Sequence, residues 1–253
     1  MDGQAVTFDF HNTIAACPEW FELEVRQLPS AFLRWWSEQY GQMVASDLLE
    51  EADGRYRQLR KEIMEHGNEL RAEACLEIVF DGMQLEVPED AVRSGVEHLM
   101  REALSGATPI RGAVETVKEI HVTGVPVGIV SSAVYHPFLE WTLELFGIRD
   151  AFGAIVTSAS AGFYKSRPEI YEVAADALAA SLGRMVHVGD SLRFDVGGAN
   201  RAGMGTVWLR EHDDGVEDLS IAPDLTLTTL ESAAPEILAL LQSRQPDKDP
   251  LRV

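Results

Sequence analysis

The chain has 253 residues with 46% apolar content, enough for one large domain or for a core carrying an insertion. A formal net charge of −20, with lysine only at Lys61, Lys118, Lys165 and Lys248, excludes the clustered basic surface that nucleic acid or an anionic membrane needs. Cys17 and Cys75 are too few for a disulfide framework or a cysteine metal site, and no apolar run approaches membrane-spanning length. The expectation is a cytoplasmic protein, monomer or homodimer, with two free thiols, no nucleic-acid partner and no membrane partner.

In chain order, Val6-Thr7-Phe8 is an apolar, β-prone run that delivers Asp9 to its C-terminal end. Phe10-His11-Asn12-Thr13 then turns the chain at once. A helical texture follows, with helices predicted over Leu28 to Tyr40, Ser46 to His66 and Glu69 to Phe80. A fourth opens with Pro88-Glu89-Asp90, good start chemistry. In it Val92, Val96, Leu99 and Ala103 recur at spacings of four, three and four and mark one buried face. Roughly ninety residues of this kind are too many for a loop and predict a helical lobe.

From about Thr108 to Leu241 strands and helices alternate, the pattern of a parallel sheet covered on both faces. The predicted strands are Val125 to Val130, Ala154 to Thr157, Met185 to Val188, Thr206 to Leu209 and Leu225 to Leu227. The predicted helices are Gly112 to Val122, Pro137 to Phe146, Pro168 to Leu182, Asp195 to Ala202 and Leu230 to Leu241. With the strand that ends at Asp9 this gives six strands. Ser243 to Val253 is rich in proline and charge and reads as a frayed tail.

Four strand ends carry polar groups suited to chemistry. Asp9 suits either nucleophilic attack on a phosphoryl group or the capping of a turn. Ser131 ends the run Val127-Gly128-Ile129-Val130 and is preferred over its neighbour Ser132 as an oxygen-binding group. Lys165 lies in Gly162-Phe163-Tyr164-Lys165-Ser166-Arg167-Pro168, between a strand and a proline-started helix, in a chain almost without lysine. Val188-Gly189-Asp190 ends another strand, and Asp195 follows five residues later. Two carboxylates there suit a hard divalent ion, although Asp195 also fits a helix cap. His98 and His187 have apolar neighbours and read as packing residues. Trp20 and Phe21 stand close enough to the first motif to face a substrate, while Trp35, Trp36 and Tyr40 have the helical spacing of core aromatics.

Asp9, Ser131, Lys165 and the Asp190/Asp195 pair follow the order of the four motifs of the haloacid dehalogenase-like (HAD) hydrolases, which the chain resembles over more than half its length. The resemblance implies an α/β fold: a doubly wound, Rossmann-like parallel-sheet core of residues 1–14 and 108–242, a helical cap of residues 15–107 and a tail of residues 243–253. It implies a Mg²⁺-dependent phosphatase acting on a small phosphorylated metabolite. In that reading Asp9 is the nucleophile and a metal ligand, and the backbone carbonyl of His11 is a second ligand. Asp190 is a further ligand, and Asp195 supports metal waters or Lys165. Ser131 and Lys165 bind the phosphoryl group, with Thr13 bracing the turn beside them.

The family's first motif reads Asp-x-Asp-x-Thr, whereas this chain has His11 at the second aspartate. His11 either takes over its proton transfers or fills the position inertly. Asn12 replaces a usual glycine and tolerates positive φ best among the other residues. Ser166 and Arg167 replace a common Pro-Asp pair. Three other readings stand beside the phosphatase: a dehalogenase, against which Asp190 argues, a phosphonate hydrolase using Lys61 from the cap, and a degenerate binding protein.

Overall fold

The structure, a computed structural model, describes residues 3–41, 43–210 and 220–244. Strand β1 (Gly3–Phe8) ends one residue before Asp9, and after the turn the short β2 (Ala15–Ala16) leads into five helices. These are α1 (Pro18–Glu22), α2 (Leu28–Tyr40), α3 (Ser46–His66), α4 (Ala72–Gly82) and α5 (Glu89–Ala103), with a wide helical turn over Leu23–Gln27 joining the first two. Strand β3 (Thr108–Pro109) returns antiparallel to β2, with Ala15 opposite Pro109. The chain continues through α6 (Ala113–Val122), β4 (Val127–Ser131), α7 (His136–Leu145), β5 (Phe152–Thr157) and the single-turn α8 (Ser158–Ala161). Then come α9 (Glu169–Ala177), β6 (Ala180–Gly189), α10 (Gly197–Arg201), β7 (Gly205–Leu209), β8 (Leu225–Leu227) and α11 (Ala234–Ser243).

The six long-range strands form one parallel sheet in the order β5-β4-β1-β6-β7-β8, as the alternating pattern predicts. Both faces are covered, so the strands are apolar nearly throughout. On β1, Val6 and Phe8 point into the larger core, which runs through α6, α7 and α11 into the inserted helices, while Ala5 joins a smaller core under α9. The strand order reverses at β1, whose neighbours β4 and β6 lead away on opposite sides. Such a switch point opens a crevice beyond the carboxyl ends of the strands, which is where Asp9 emerges.

The predicted stripe on α5 is buried as expected, and α2 crosses it closely at Gly95, where a Cβ would stand 2.5 Å from the Phe32 ring. Cys17 and Cys75 are free and buried. The helix predicted to run to Leu182 stops at Ala177 instead. Ala179 adopts φ +52° and Ala180 pairs with Gly3, so sheet pairing takes over a segment whose composition also suits helix. The helix predicted from Glu69 starts at Ala72, because the preceding turn is held against the core: Asn68 bridges Phe163, and the Glu69 N–H donates to the Gly162 carbonyl at 3.0 Å. His98 is a correction. It lies exposed on α5, 3.5 Å from Glu102, rather than packed. Of the predicted tail, Ser243 closes α11, and residues 245–253 lie outside the described residues.

Candidate active site

Asp9 is fixed by its backbone before its side chain does anything. Its N–H donates to the Val188 carbonyl at 2.8 Å, extending the β1–β6 pairing one residue past the strand. The chain then folds back tightly: Ile14 and Ala15 N–H groups both donate to the Phe10 carbonyl, at 2.9 and 3.0 Å, and Asn12 sits at φ +59°. Asparagine carries this left-handed position as its chemistry allows. Its side chain also hydrogen-bonds the Asp190 carboxylate, a contact that the reading of Asn12 as a turn residue had missed.

Lys165 joins two of the predicted strand-end groups. Its Nζ donates to Asp9 Oδ1 and, at 2.5 Å, to Asp195 Oδ1, and all three side chains are buried. Asp195 has further partners. The Ser191 N–H donates to Oδ2 at 2.9 Å, and His187 Nε2 lies 3.1 Å from Oδ1. His187 Nδ1 is 2.9 Å from Thr7 Oγ1. With Nε2–H donating to Asp195, Nδ1 is left to accept the Thr7 hydroxyl proton. His187 is therefore buried as predicted, yet it orients Asp195 rather than merely filling space. The signal was present in register: Thr7 on β1 lies opposite His187 on β6, two polar residues inside apolar strands, on one face of the sheet. Gly189 completes the approach, because a Cβ there would fall 2.3 Å from Asp195 Cγ.

Electrostatics follow from one ammonium serving several carboxylates. Burial raises Asp9, and Lys165 only partly opposes it. For Asp195 burial also pushes upward, but Lys165 and His187 outweigh it and hold the carboxyl at about 2. Lys165 itself is raised well above its usual range: burial would lower it, and the charges of Asp195 and Asp9 prevail. Asp190 lacks the ammonium. Burial, with Asp9 and Asp195 close by, pushes it up to about 8. Carboxylate oxygens of Asp9, Asp190 and Asp195 lie within 4.8 Å of one another.

These groups line a cavity of about 280 Å³ together with His11, Ser131 and Ser132. Ser132 Oγ accepts the Lys165 N–H at 3.2 Å and so braces the lysine loop, and Ser131 lines the cavity beside it. His11 stacks on Phe21, ring centroids 4.5 Å apart, and its buried Nδ1 has no hydrogen-bond partner among the described residues. Burial, then the Lys165 charge, lowers the imidazole to about 4. Trp20 and Phe21 both line the cavity, whereas Trp35 and Trp36 pack against the core of the insertion and Tyr40 is exposed. Thr13 is fully buried and does not reach the cavity lining. Lys61 is exposed on α3 beside Glu65 and is not part of the cavity lining, which does not favour the phosphonate-hydrolase reading.

A buried polar cluster ties the inserted helices to this site. Arg60 on α3 donates to both oxygens of Glu69, at 2.5 and 3.2 Å, and Ser158 at the start of α8 donates to Glu69 Oε2 at 2.7 Å. Glu24 Oε1 accepts the Val134 N–H at 2.6 Å, just beyond the Ser131–Ser132 loop, while Oε2 has no partner among the described residues. Arg60 stands 4.0 Å from Glu24, so Glu69 takes the ion pair. Burial, opposed by Arg60 and reinforced by Glu69, pushes Glu24 up to about 8. Composition gave no sign of this cluster, because Glu24, Arg60 and Glu69 stand among charged neighbours that look solvated along the chain.

Comparison with known proteins bears on the same residues. The model of the haloacid dehalogenase-like hydrolase family matches residues 4–203. The 5-amino-6-(5-phospho-D-ribitylamino)uracil phosphatase YigB of Escherichia coli is 38% identical over 92 residues, 35% of this chain and 39% of that one. The glyceraldehyde 3-phosphate phosphatase of Methanopyrus kandleri is 34% identical over 122 residues, 45% of this chain and 52% of that one. The matches thus span only about two fifths to one half of these relatives. Among solved structures, a HAD phosphatase from Thermococcus onnurineus superposes with TM-score 0.62 at 24% identity, covering 93% of this chain and 97% of that one. A 2-haloacid dehalogenase from Pseudomonas syringae pv. tomato reaches TM-score 0.67 at 20% identity, covering 94% and 98%. Those two share the fold across different chemistries. With the family model matching well over half of the chain, from residue 4 to residue 203, the chain belongs to the haloacid dehalogenase-like hydrolases.

Proposed function

We propose that this protein is a Mg²⁺-dependent phosphatase that hydrolyses a small phosphorylated metabolite through an aspartyl phosphate on Asp9. The observation that supports it most is the placement of Asp9, at the switch point of the sheet, with Lys165 on its carboxylate and Asp190 and Asp195 beside it. The donor set suits the ion: three hard carboxylates lie within 4.8 Å of one another, Lys165 serves only Asp9 and Asp195, and burial with those two neighbouring charges pushes the Asp190 carboxyl up to about 8. Asp9, Asp190, Asp195 and the His11 carbonyl would hold Mg²⁺. When bound it would supply charge neutralisation and orientation of the phosphoryl oxygens.

The chain's own residues carry the steps. A carboxylate oxygen of Asp9 attacks phosphorus as the bond to the leaving oxygen breaks, and that oxygen takes a proton from solvent and leaves as an alcohol, a proton returned to solvent when water attacks in the next step. Water then attacks the same phosphorus, the Asp9–phosphorus bond breaks, and inorganic phosphate departs. Lys165 offsets charge on nucleophile and phosphoryl group, and Ser131 binds a phosphoryl oxygen. Thr13 lies fully buried in the turn after Asp9, its hydroxyl without a hydrogen-bond partner among the described residues. His11 occupies the proton-transfer position, with Nδ1 unengaged and the ring held against Phe21. The division into a core of 1–14 and 108–242 and a cap of 15–107 belongs to the same proposal, and the β2–β3 pair at 15–16 and 108–109 supports it.

Hydrolysis of a chromogenic phosphate and a metabolite panel, with and without Mg²⁺, tests the reading. The expected result is turnover that chelation abolishes and that Asp9→Asn removes. Activity indifferent to both would overturn it.

A further inference from the structure

The cavity also constrains what leaves. Its polar end is the cluster of Asp9, Asp190, Asp195 and Lys165, and the remaining lining is dominated by Phe21, Val25 and Met64 from the inserted helices and by Tyr164 and Phe194 from core loops. The rings are organised: Phe21 stacks on His11, and Tyr164 meets Phe194 edge to face at 5.3 Å. At about 280 Å³ the space suits a small leaving group rather than a nucleotide-sized one.

Charge is the sharper constraint. Among the described residues Lys165 is the only cation in the lining, and its ammonium is shared by Asp9 and Asp195. Arg60, the buried cation of the inserted helices, is engaged by Glu69. Arg193 is exposed, its guanidinium 5.0 Å from the Phe194 ring centre, and is not part of the lining. A carboxylate or second phosphate on the leaving group would therefore lose water among aromatic rings and three carboxylates, with Asn12 and the serines as uncharged partners and no free cation in the lining among the described residues.

Building on the phosphatase reading above, we propose that the substrate carries the transferred phosphate as its only anionic group, on a small neutral alcohol or phenol with an apolar, preferably planar, body. Phosphoglycolate-like acids, sugar bisphosphates and diphosphates fall outside this class. The lining selects by apolar contact and by the unpaired charge it refuses, the stronger of the two forms of discrimination.

The test uses three esters with the full chain and Mg²⁺: phenyl phosphate, 4-carbamoylphenyl phosphate and 4-carboxyphenyl phosphate. The last two match in size and differ by one charge. The expected kcat/KM for the carbamoyl ester lies within a few fold of phenyl phosphate, and that of the carboxy ester falls by on the order of 10²-fold. Met64→Lys, which adds a cation to the lining, is expected to raise the carboxy-to-carbamoyl ratio by about tenfold. Equal cleavage of the matched pair, with Asp9 still required, overturns the inference and leaves the phosphatase standing. A folded Met64→Lys variant with an unchanged ratio also overturns it. If none of the esters is cleaved in an Asp9-dependent way, the proposed function fails and the inference with it.

Discussion

Glu24 offers a quantitative handle on the interface between the inserted helices and the sheet. Its carboxyl sits at about 8 in the folded protein against an ordinary 4.5, chiefly because burial outweighs the charge of Arg60, which stands 4.0 Å away. Between those values the unfolded chain has released a proton that the folded chain keeps, so stability falls as pH rises. The slope is about 1.4 kcal/mol per pH unit, and by pH 7 the loss from this one group is about 3 kcal/mol. Glu24→Gln keeps the oxygen that accepts the Val134 N–H and has no proton to lose. The variant is expected to be more stable than wild type at pH 7, by about 2–3 kcal/mol once an imperfect amide fit is allowed for. The two should converge towards pH 4.5. Urea unfolding followed by tryptophan fluorescence from pH 5 to 8 measures the difference directly, since every other titrating group is common to both proteins and cancels. Parallel stability curves for the two proteins, or a variant that loses ground as pH rises, would refute the assignment of Glu24 as the protonated member of the cluster.

Three further variants probe the site itself. His187→Ala removes the group that orients Asp195, and an apparent Mg²⁺ affinity about 10–100-fold weaker is expected, with partial recovery in His187→Gln; an unchanged metal titration would make His187 a packing residue after all. Gly189→Ala places a Cβ 2.3 Å from Asp195 Cγ, so activity is expected to fall by at least about 10²-fold with secondary structure retained, and normal turnover would show that the strand end has slack. His11→Ala is expected to lower turnover by about 10²–10⁴-fold if the ring transfers protons. Because the imidazole sits at about 4, it stays neutral across pH 6 to 8, and the rate profile of wild type should show no limb near 6.5 that alanine removes. Alanine that turns over like wild type at every pH makes the residue a filler.

Much of this architecture was legible because period and punctuation agree with the final packing. The strand ending at Asp9, the helices over residues 28–40 and 46–66 and the α5 stripe read directly from apolar spacing, since one face of each is buried by a single continuous core. Where a segment answers to a distant partner, the local signal failed. Ala180 to Leu182 look helical and become strand, with Ala180 pairing Gly3 at the start of β6, and Glu69 leaves its helix because the core loop at 162–164 captures its turn. The motif aspartates and Lys165 were recognisable from strand ends. Of their supports, Thr7 carried no signal, His187 read as packing and Asn12 as a turn residue, since each acts by touching a residue far away in sequence and only the fold brings them together.

The central claim is that Asp9 carries the phosphoryl group. Rapid acid quench of the enzyme with phenyl phosphate and Mg²⁺, followed by borohydride reduction, converts an aspartyl phosphate to homoserine, which peptide mass spectrometry locates. Homoserine at position 9, formed at the rate of turnover and enriched in His11→Ala where the second step should slow, is the expected result. Turnover with no reducible adduct, or an adduct on any other residue, would contradict the mechanism.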